Sequence, residues 1–202
     1  MKLKVCGMRE EANIRSVLAI KPDLMGFIFY SKSKRFVDEL SLAGIDFGMT
    51  QKVGVFVNEP LDSLAEKVIK FGLDYVQLHG DESLSYLVAV KYLGVKVIKV
   101  LRIQDELPIH EILAFEQEVD YFLYDTLSLE YGGSGKKFQW DILNDSPSSK
   151  PFWLSGGLSI GNLKGLGLIH HPGLIGIDVN SQFESHPGMK NIELLQVLKK
   201  LL

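Results

Sequence analysis

Short apolar runs alternate with longer amphipathic stretches along the whole chain. The runs predict eight strands, beginning near Leu3, Leu24, Lys52, Tyr75, Lys96, Tyr121, Pro151 and Ile175. Their mean spacing of roughly 25 residues is what repeated strand–helix units require. Residues 24–29 and 53–57 are almost wholly apolar, which is typical of parallel strands buried on both faces.

The stretches between the strands predict helices at residues 10–20, 61–71, 84–93 and 109–118, and a final helix at 191–202. The final helix has an apolar stripe, which we expect to dock on the sheet rather than on a membrane. No linker divides the chain, so residues 1–202 are expected to form one domain. Polar residues end most of the strands, which favours a single-domain (β/α)8 TIM barrel of the α/β class over an open sheet with one switch point. These residues are Cys6, Asn58, His79, Arg102, Asp125, Ser155 and Asp178.

Composition narrows the function classes. The chain has 202 residues, of which 46% are hydrophobic and 23% charged, as in ordinary soluble domains. A net charge of −3 gives no attraction to nucleic acid, and no apolar run approaches the ~20 residues of a membrane span. Met1-Lys2 leads directly into a strand, without the apolar region of a signal peptide, so we expect a cytoplasmic protein. We expect neither a nucleic acid nor a membrane as its partner. One cysteine and scattered histidines exclude a disulfide framework and predict no metal or other cofactor.

Two strand ends carry candidate acid–base groups. Cys6 ends the first strand and Asp125 ends the sixth, and such ends face the ligand pocket of a β/α fold. A thiol and a carboxyl placed there could act as a base and an acid. A lone cysteine is also often a small buried hydrophobe, so that alternative stays open for Cys6.

Loops 7 and 8 carry candidate phosphate-binding groups. Gly156 and Gly157 follow the seventh strand, and a helix is predicted to begin next with Ser159 as its N-cap. Glycines at a helix N-terminus let backbone N–H groups approach a phosphate, although a plain tight turn has the same composition. Asp178 and Ser181, at the end of the eighth strand, could complete this phosphate-binding site, because barrel phosphate sites are often built from loops 7 and 8.

Three further features lie on or directly after predicted strands. Arg35 lies in a basic loop after the second strand, where it could grip a carboxylate or only be solvated. Gln77 and His79 alternate along the fourth strand and point the same way, although a single histidine is commonly structural. The Gly-rich loop at 126–138 could be a lid that brings Lys136 or Lys137 to an anion, or a mobile surface loop.

The segment Lys4-Val5-Cys6-Gly7-Met8-Arg9 resembles the strand-1 signature of phosphoribosylanthranilate isomerases. Further matches follow in order over nearly the whole chain: Gly26-Phe27-Ile28-Phe29-Tyr30 with Ser33-Lys34-Arg35, Val53-Gly54-Val55-Phe56-Val57-Asn58, Val76-Gln77-Leu78-His79-Gly80, Asp125-Thr126, Gly132-Gly133-Ser134-Gly135, Leu154-Ser155-Gly156-Gly157-Leu158, Gly176-Ile177-Asp178-Val179 and Pro187-Gly188. Each motif alone is weak, but the ordered set is highly specific to this family.

The resemblance implies a barrel enzyme of tryptophan biosynthesis. Its reaction would convert N-(5′-phosphoribosyl)anthranilate into 1-(2-carboxyphenylamino)-1-deoxy-D-ribulose 5-phosphate by an Amadori aldose–ketose shift. It also implies that Cys6 is the general base, Asp125 the general acid and Arg35 the partner of the anthranilate carboxylate. Lys4, two residues before Cys6 on the same strand face, is expected to favour the thiolate. We expect a small phosphoribosyl compound as the partner, and a monomer rather than a homodimer.

Two departures and two alternatives accompany the resemblance. Gln182 stands where the family usually has glycine, and its Cβ resists positive φ, which puts the loop-8 phosphate contact in question. Gln139 stands where the family commonly has aspartate after the lid. One alternative is a related isomerase of a phosphoribosyl aminoimidazole, which would favour a carboxylate in place of Cys6. The other is a barrel that binds phosphorylated ligands without turning them over.

Overall fold

A computed structural model describes residues 1–126 and 140–202. Eight parallel strands pair in chain order, and the eighth pairs back with the first, so the barrel is closed. Each strand begins within one residue of its predicted position, and the predicted eight-stranded barrel is confirmed. The strands are β1 Lys2–Val5, β2 Leu24–Ile28, β3 Gln51–Phe56, β4 Tyr75–Leu78, β5 Lys96–Ile103, β6 Tyr121–Thr126, β7 Phe152–Ser155 and β8 Leu174–Val179.

The helices cover the outside of the barrel with their apolar faces. They are α1 Glu11–Leu18, α2 Leu61–Phe71, α3 Leu84–Lys91, α4 Ile109–Phe115 and α5 Ile192–Leu201. The last helix buries Leu195 and Leu198 against the core, and the Asn191 side chain caps its first turn by accepting from the Leu194 N–H. None of the helices among the described residues combines the length and apolar character that crossing a membrane requires.

The alternation of strands and α-helices is not regular. Residues 29–50, all of which the structure describes, contain no helix, and 3₁₀ helices occur at Trp140–Asp145 and Leu163–Leu168. The prediction of a helix capped by Ser159 is wrong, because the 3₁₀ helix begins only at Leu163 and the Ser159 N–H donates to Asn162 Oδ1 at 2.9 Å. Gly165 and Gly167 lie within this helix, and glycine disfavours a regular α-helix there.

The interior of the barrel is packed at one end and open at the other. Alternate residues of the strands form an apolar plug, composed of Leu24, Val53, Tyr75, Ile98, Val100, Leu123 and Trp153. Side chains two residues apart on a strand point to the same face. The next inward positions on four of these strands are therefore Val55, Gln77, Asp125 and Ser155, at the carboxyl ends. The plug confines any ligand to that end of the barrel.

A short hairpin follows the barrel. Its strands are β9 Glu184–His186 and β10 Met189–Lys190, which pair antiparallel with Lys190 opposite Glu184. The turn between them holds Gly188 at φ +89°, a conformation that glycine adopts without steric cost. The hairpin thus brings two oppositely charged side chains to the same place beside β8.

Candidate active site

A cavity of about 290 Å³ opens at the carboxyl ends of the strands. Eight of the nine site residues predicted from the sequence line it, namely Cys6, Gln77, His79, Asp125, Gly156, Gly157, Asp178 and Ser181. Ile28, Val55, Thr126, Ser155, Leu158, Asn180 and Gln182 complete its wall. The ninth predicted residue, Arg35, is not part of this wall and is described below.

Cys6 lies directly after β1 and is only 4% exposed. Its backbone N–H donates to the Val179 carbonyl at 3.0 Å, which continues the pairing of β1 with β8. Gly26 of β2 leaves room for the thiol, because a Cβ at that position would lie 2.7 Å from Cys6 Sγ. Burial raises the pKa of the Cys6 thiol, and the opposing effects of Lys4 and Lys190 do not outweigh it. The thiol is therefore the resting form at neutral pH.

Lys4 does not act on Cys6 alone, because its ammonium is paired with Asp178. Lys4 Nζ donates to Asp178 Oδ2 at 2.9 Å, and the two side chains are 0% and 5% exposed. Burial by itself would lower the pKa of Lys4, but the neighbouring Asp178 carboxylate opposes burial and that pKa is raised, so the ammonium stays charged. The second oxygen, Asp178 Oδ1, is buried and has no hydrogen-bond partner among the described residues. This oxygen can accept a hydrogen bond from a ligand in the cavity.

Asp125 and His79 face each other across the cavity wall. His79 Nε2 lies 3.2 Å from Asp125 Oδ2, with the side chains 29% and 24% exposed. The His79 backbone is held on both sides, since its N–H donates to the Phe56 carbonyl at 2.9 Å and its carbonyl accepts from Arg102 Nη2 at 3.0 Å. The imidazole is thus placed to orient the Asp125 carboxyl, or to share a proton with it.

Gln77 stands on the inward face of β4 and is 2% exposed. Its Oε1 is buried and finds no hydrogen-bond partner within the part of the chain that the structure describes. A buried amide oxygen without a partner costs free energy, about 1–3 kcal/mol for a polar group of this kind. A donor on a bound ligand would remove that cost.

The loop after β7 is built around two glycines in the left-handed region. Gly156 has φ +97° and Gly157 has φ +60°. At Gly156 a Cβ would lie 1.8 Å from the Thr126 carbonyl oxygen, so only glycine fits there. The loop is fastened by the Thr126 hydroxyl, which donates to the Ser155 carbonyl at 3.0 Å, and by Asn162 Nδ2, which donates to the Gly157 carbonyl at 2.8 Å. The backbone can therefore approach a ligand closely at the cavity wall.

Loop 8 forms the adjoining wall, and its Gln182 does not adopt a positive φ. Ser181 and Gln182 lie in a short 3₁₀ helix, Ser181–Phe183, which directly follows β8. Among the described non-glycine residues, positive φ occurs only at Lys21 and Asn58. Gln182 therefore needs no glycine-like conformation, and the concern raised by its Cβ does not apply to this backbone.

Arg35 lies beside the cavity, where its side chain packs on the end of β1. Gly7 has φ +77°, and a Cβ there would lie 2.7 Å from both Arg35 Cδ and Asn180 Oδ1. The guanidinium pairs with Glu184, with Nε to Oε1 at 2.9 Å and Nη2 to Oε2 at 2.6 Å. The Arg35 side chain is 20% exposed, so part of it remains open to solvent or ligand.

Sequence reasoning missed the contribution of the hairpin to this site. Lys190 was not predicted as a site residue, yet its ammonium is fully buried and contacts both Glu184 and Asn180 Oδ1. The turn dipeptide Pro187-Gly188 between two short segments was the available signal for a hairpin. The predicted lid at 126–138, with Lys136 and Lys137, lies outside the described residues except at Thr126.

Comparison with known proteins agrees with the barrel fold. The family described as N-(5′-phosphoribosyl)anthranilate (PRA) isomerase matches residues 3–200. An N-(5′-phosphoribosyl)anthranilate isomerase of Parabacteroides distasonis is 43% identical over 200 residues, covering 97% of this chain and 90% of its own length. One from Phocaeicola vulgatus is 42% identical over 191 residues, covering 95% of this chain and 92% of its own.

Solved structures show the same likeness. The phosphoribosyl anthranilate isomerase of Thermotoga maritima is 29% identical and superimposes with a TM-score of 0.78 over 100% of both chains. A phosphoribosyl anthranilate isomerase in complex with reduced 1-(o-carboxyphenylamino)-1-deoxyribulose 5-phosphate is 26% identical, with a TM-score of 0.76 over 99% of this chain and 97% of that one. The closed barrel, the match over residues 3–200 and the 43% identity lead to one conclusion: the chain belongs to the N-(5′-phosphoribosyl)anthranilate isomerase family.

Proposed function

We propose that this isomerase acts in tryptophan biosynthesis and converts N-(5′-phosphoribosyl)anthranilate into 1-(2-carboxyphenylamino)-1-deoxy-D-ribulose 5-phosphate. The observation that carries the proposal is that Cys6 and Asp125 both line one cavity of about 290 Å³. They come from strands β1 and β6, on different sides of the barrel, so a ligand can lie between them. That arrangement suits a reaction in which one group donates a proton while the other removes one.

The proposed reaction has three stages, which together involve four proton transfers. The Asp125 carboxyl protonates the furanose ring oxygen, the C1′–O bond breaks, and the nitrogen lone pair forms a C1′=N iminium. The Cys6 thiolate then removes the C2′ proton, and the electron pair moves to nitrogen, which gives an enolamine. Proton return to C1′ and loss of the hydroxyl proton at C2′ produce the ketone. The overall change moves two hydrogens within one molecule and needs no external oxidant.

The resting thiol has to release its proton to solvent before it can act as the base. Burial disfavours the thiolate, whereas Lys4 and Lys190 favour it. The iminium cation formed in the first step would add a third positive charge close to Cys6. Opposite charges at short distance favour the ionised form of an acid. Ring opening thus promotes the base that the second step requires.

The two ends of the substrate have separate candidate contacts. The glycine loop at Gly156 and Gly157, together with Ser181, offers backbone and hydroxyl donors for the phosphate. Arg35, which packs against Gly7 at the end of β1, would bind the anthranilate carboxylate. Gln77 Oε1 and Asp178 Oδ1 are buried acceptors that can take hydrogen bonds from ribose hydroxyls.

The test is turnover of freshly prepared N-(5′-phosphoribosyl)anthranilate, followed by loss of anthranilate fluorescence. Cys6→Ser and Asp125→Asn should each lower kcat by about 10²–10⁴-fold, the usual value of one acid–base group. Asp105→Asn, on the exposed loop after β5, is the matched control and should keep wild-type turnover. Ligand binding without turnover in the wild type would instead indicate a binding barrel, and near-normal turnover in either variant would remove that residue from its role.

A further inference from the structure

We propose that Glu184 is a positioning residue that orients Arg35 for the ligand carboxylate, with Lys190 as its counter-charge. The proposal rests on the function proposed above, in which Arg35 binds that carboxylate. Glu184 is 3% exposed and holds Arg35 through two hydrogen bonds of 2.9 Å and 2.6 Å. An arginine with an unrestrained side chain has many rotamers, and holding it in one conformation before the ligand arrives removes that entropic cost from binding.

The geometry leaves the ligand-binding edge of Arg35 open. A guanidinium has five N–H donors in a planar fork, so it presents more than one pair of parallel donors. Glu184 takes the edge formed by Nε and Nη2. Nη1 makes no hydrogen bond to any residue in the described ranges 1–126 and 140–202. The edge formed by Nη1 and Nη2 is therefore available for a second carboxylate in bidentate geometry.

Lys190 prevents Glu184 from cancelling the charge of Arg35. Its ammonium is fully buried, contacts Glu184 Oε1 and donates to Asn180 Oδ1 at 2.8 Å. Burial lowers the pKa of Lys190, and its contact with Glu184 opposes that effect. With all three groups ionised, Arg35, Glu184 and Lys190 carry a net charge of +1, so the cluster still attracts an anion. A buried carboxylate without the second cation would leave the cluster neutral and weaken that attraction.

The hairpin that carries Glu184 and Lys190 is itself fastened to the barrel. Asn13 of α1 is 6% exposed and bonds both backbone groups of Lys190: its Nδ2 donates to the carbonyl at 3.0 Å and its Oδ1 accepts from the N–H at 2.8 Å. The Gly188 N–H donates to Glu184 Oε1 at 3.1 Å from the turn. Every link from α1 to the Arg35 guanidinium is thus a direct hydrogen bond.

The experiment measures selectivity for the carboxylate. Two ligands are titrated by calorimetry into the full chain: reduced 1-(o-carboxyphenylamino)-1-deoxyribulose 5-phosphate and the same compound without its carboxylate. The readout is the ratio of the two Kd values. Glu184→Asp keeps all charges but withdraws the carboxylate by one methylene, and Glu184→Gln keeps the length but removes one of the two acceptors.

We expect both variants to lower the selectivity by about tenfold, within the range of a charged hydrogen bond, while Kd for the ligand without the carboxylate changes by less than about twofold. That second Kd also reports that the site is folded. Unchanged selectivity in Glu184→Asp would overturn the proposal, as would tighter binding of the carboxylated ligand by Glu184→Gln. Arg35→Lys separates the two proposals. If this variant keeps the wild-type selectivity, the assignment of Arg35 fails. If it loses selectivity while Glu184→Asp does not, only the role of Glu184 is refuted.

Discussion

Breaking the buried ion pair between Glu82 and Lys99 by removing one partner is expected to destabilise the protein strongly. Lys99 Nζ lies 2.8 Å from Glu82 Oε2 and 2.6 Å from the Gly80 carbonyl, and the Lys99 and Glu82 side chains are 4% and 2% exposed. The Glu82 carboxylate also accepts from the backbone N–H groups of Asn58 and Gly80, each at 3.0 Å. Lys99→Met would leave this carboxylate buried without its cation.

The magnitude follows from that burial. Removing one partner of a buried pair typically costs about 3–5 kcal/mol, because the remaining charge is neither paired nor hydrated. For a chain of this size, each kcal/mol lowers Tm by about 2–4 °C, so the expected loss is roughly 6–20 °C. Lys91→Met is the matched control, since Lys91 pairs with Glu118 at 3.1 Å with side chains 40% and 31% exposed. An exposed pair contributes about 0–1 kcal/mol.

The pH dependence provides a second check on the same pair. Burial alone would raise the pKa of Glu82, but the hydrogen bonds from Lys99 and from the Asn58 N–H outweigh it and hold the pKa below its usual value. A carboxyl with a lowered folded pKa contributes stability that is present above its unfolded pKa, about 4.3, and is lost as pH falls through the folded value. The deficit of Lys99→Met should therefore be largest near neutral pH and shrink in acid, where Glu82 is protonated.

The assay is urea unfolding of the wild type, Lys99→Met and Lys91→Met at pH 7 and again near pH 4. Free energies are compared at unchanged m values, so that a shift of the midpoint reports stability. A deficit for Lys99→Met at pH 7 no larger than that for Lys91→Met would refute the reasoning. A deficit that grows as the pH falls would refute its electrostatic part.

Three further outcomes are expected. Gly156→Ala should lower the free energy of unfolding by more than the roughly 1–3 kcal/mol of a strained backbone, because the new Cβ would lie 1.8 Å from the Thr126 carbonyl oxygen. Gly167→Ala, where the Cβ would have open space, should leave it nearly unchanged in the same urea assay. Because burial raises the pKa of Cys6 and the base must be ionised, kcat/KM should rise with pH into an alkaline limb above the usual thiol value of about 8.5, and a limb below pH 7 would contradict this. His79→Asn should lower kcat by about tenfold, because the Asp125 carboxyl loses the imidazole nitrogen that lies 3.2 Å from it. An unaltered kcat would contradict this.

The barrel and most of the cavity wall could be predicted from the sequence, because both depend on local periodic signals. Apolar runs at a regular spacing define parallel strands, and parallel strands bring their carboxyl ends to one edge. Cys6, Asp125 and Gly156 follow such strands directly, so their place in the cavity needed no knowledge of packing.

The remaining contacts join residues that no periodic signal connects. Glu184 meets Arg35 across 149 residues of sequence, and Glu82 meets Lys99 from neighbouring units. Such pairs depend on how loops pack, and charged residues in a sequence do not disclose which of them become buried. The resting state of Cys6 was equally inaccessible, because burial of the thiol is a property of the folded barrel.

The closure of the barrel has a consequence for the order in which the protein is assembled. β1 pairs with β2 at only two residue positions but with β8 at four, and its Lys4 finds its carboxylate on β8 at Asp178. Of the eight barrel strands, β1 is synthesised first, and β8 begins more than 170 residues later. β1 therefore lacks its principal pairing partner during most of translation. Contacts of such long sequence separation are slow to form. The first barrel strand to be synthesised is therefore among the last to be fixed, and the cavity is completed only when the eighth strand arrives.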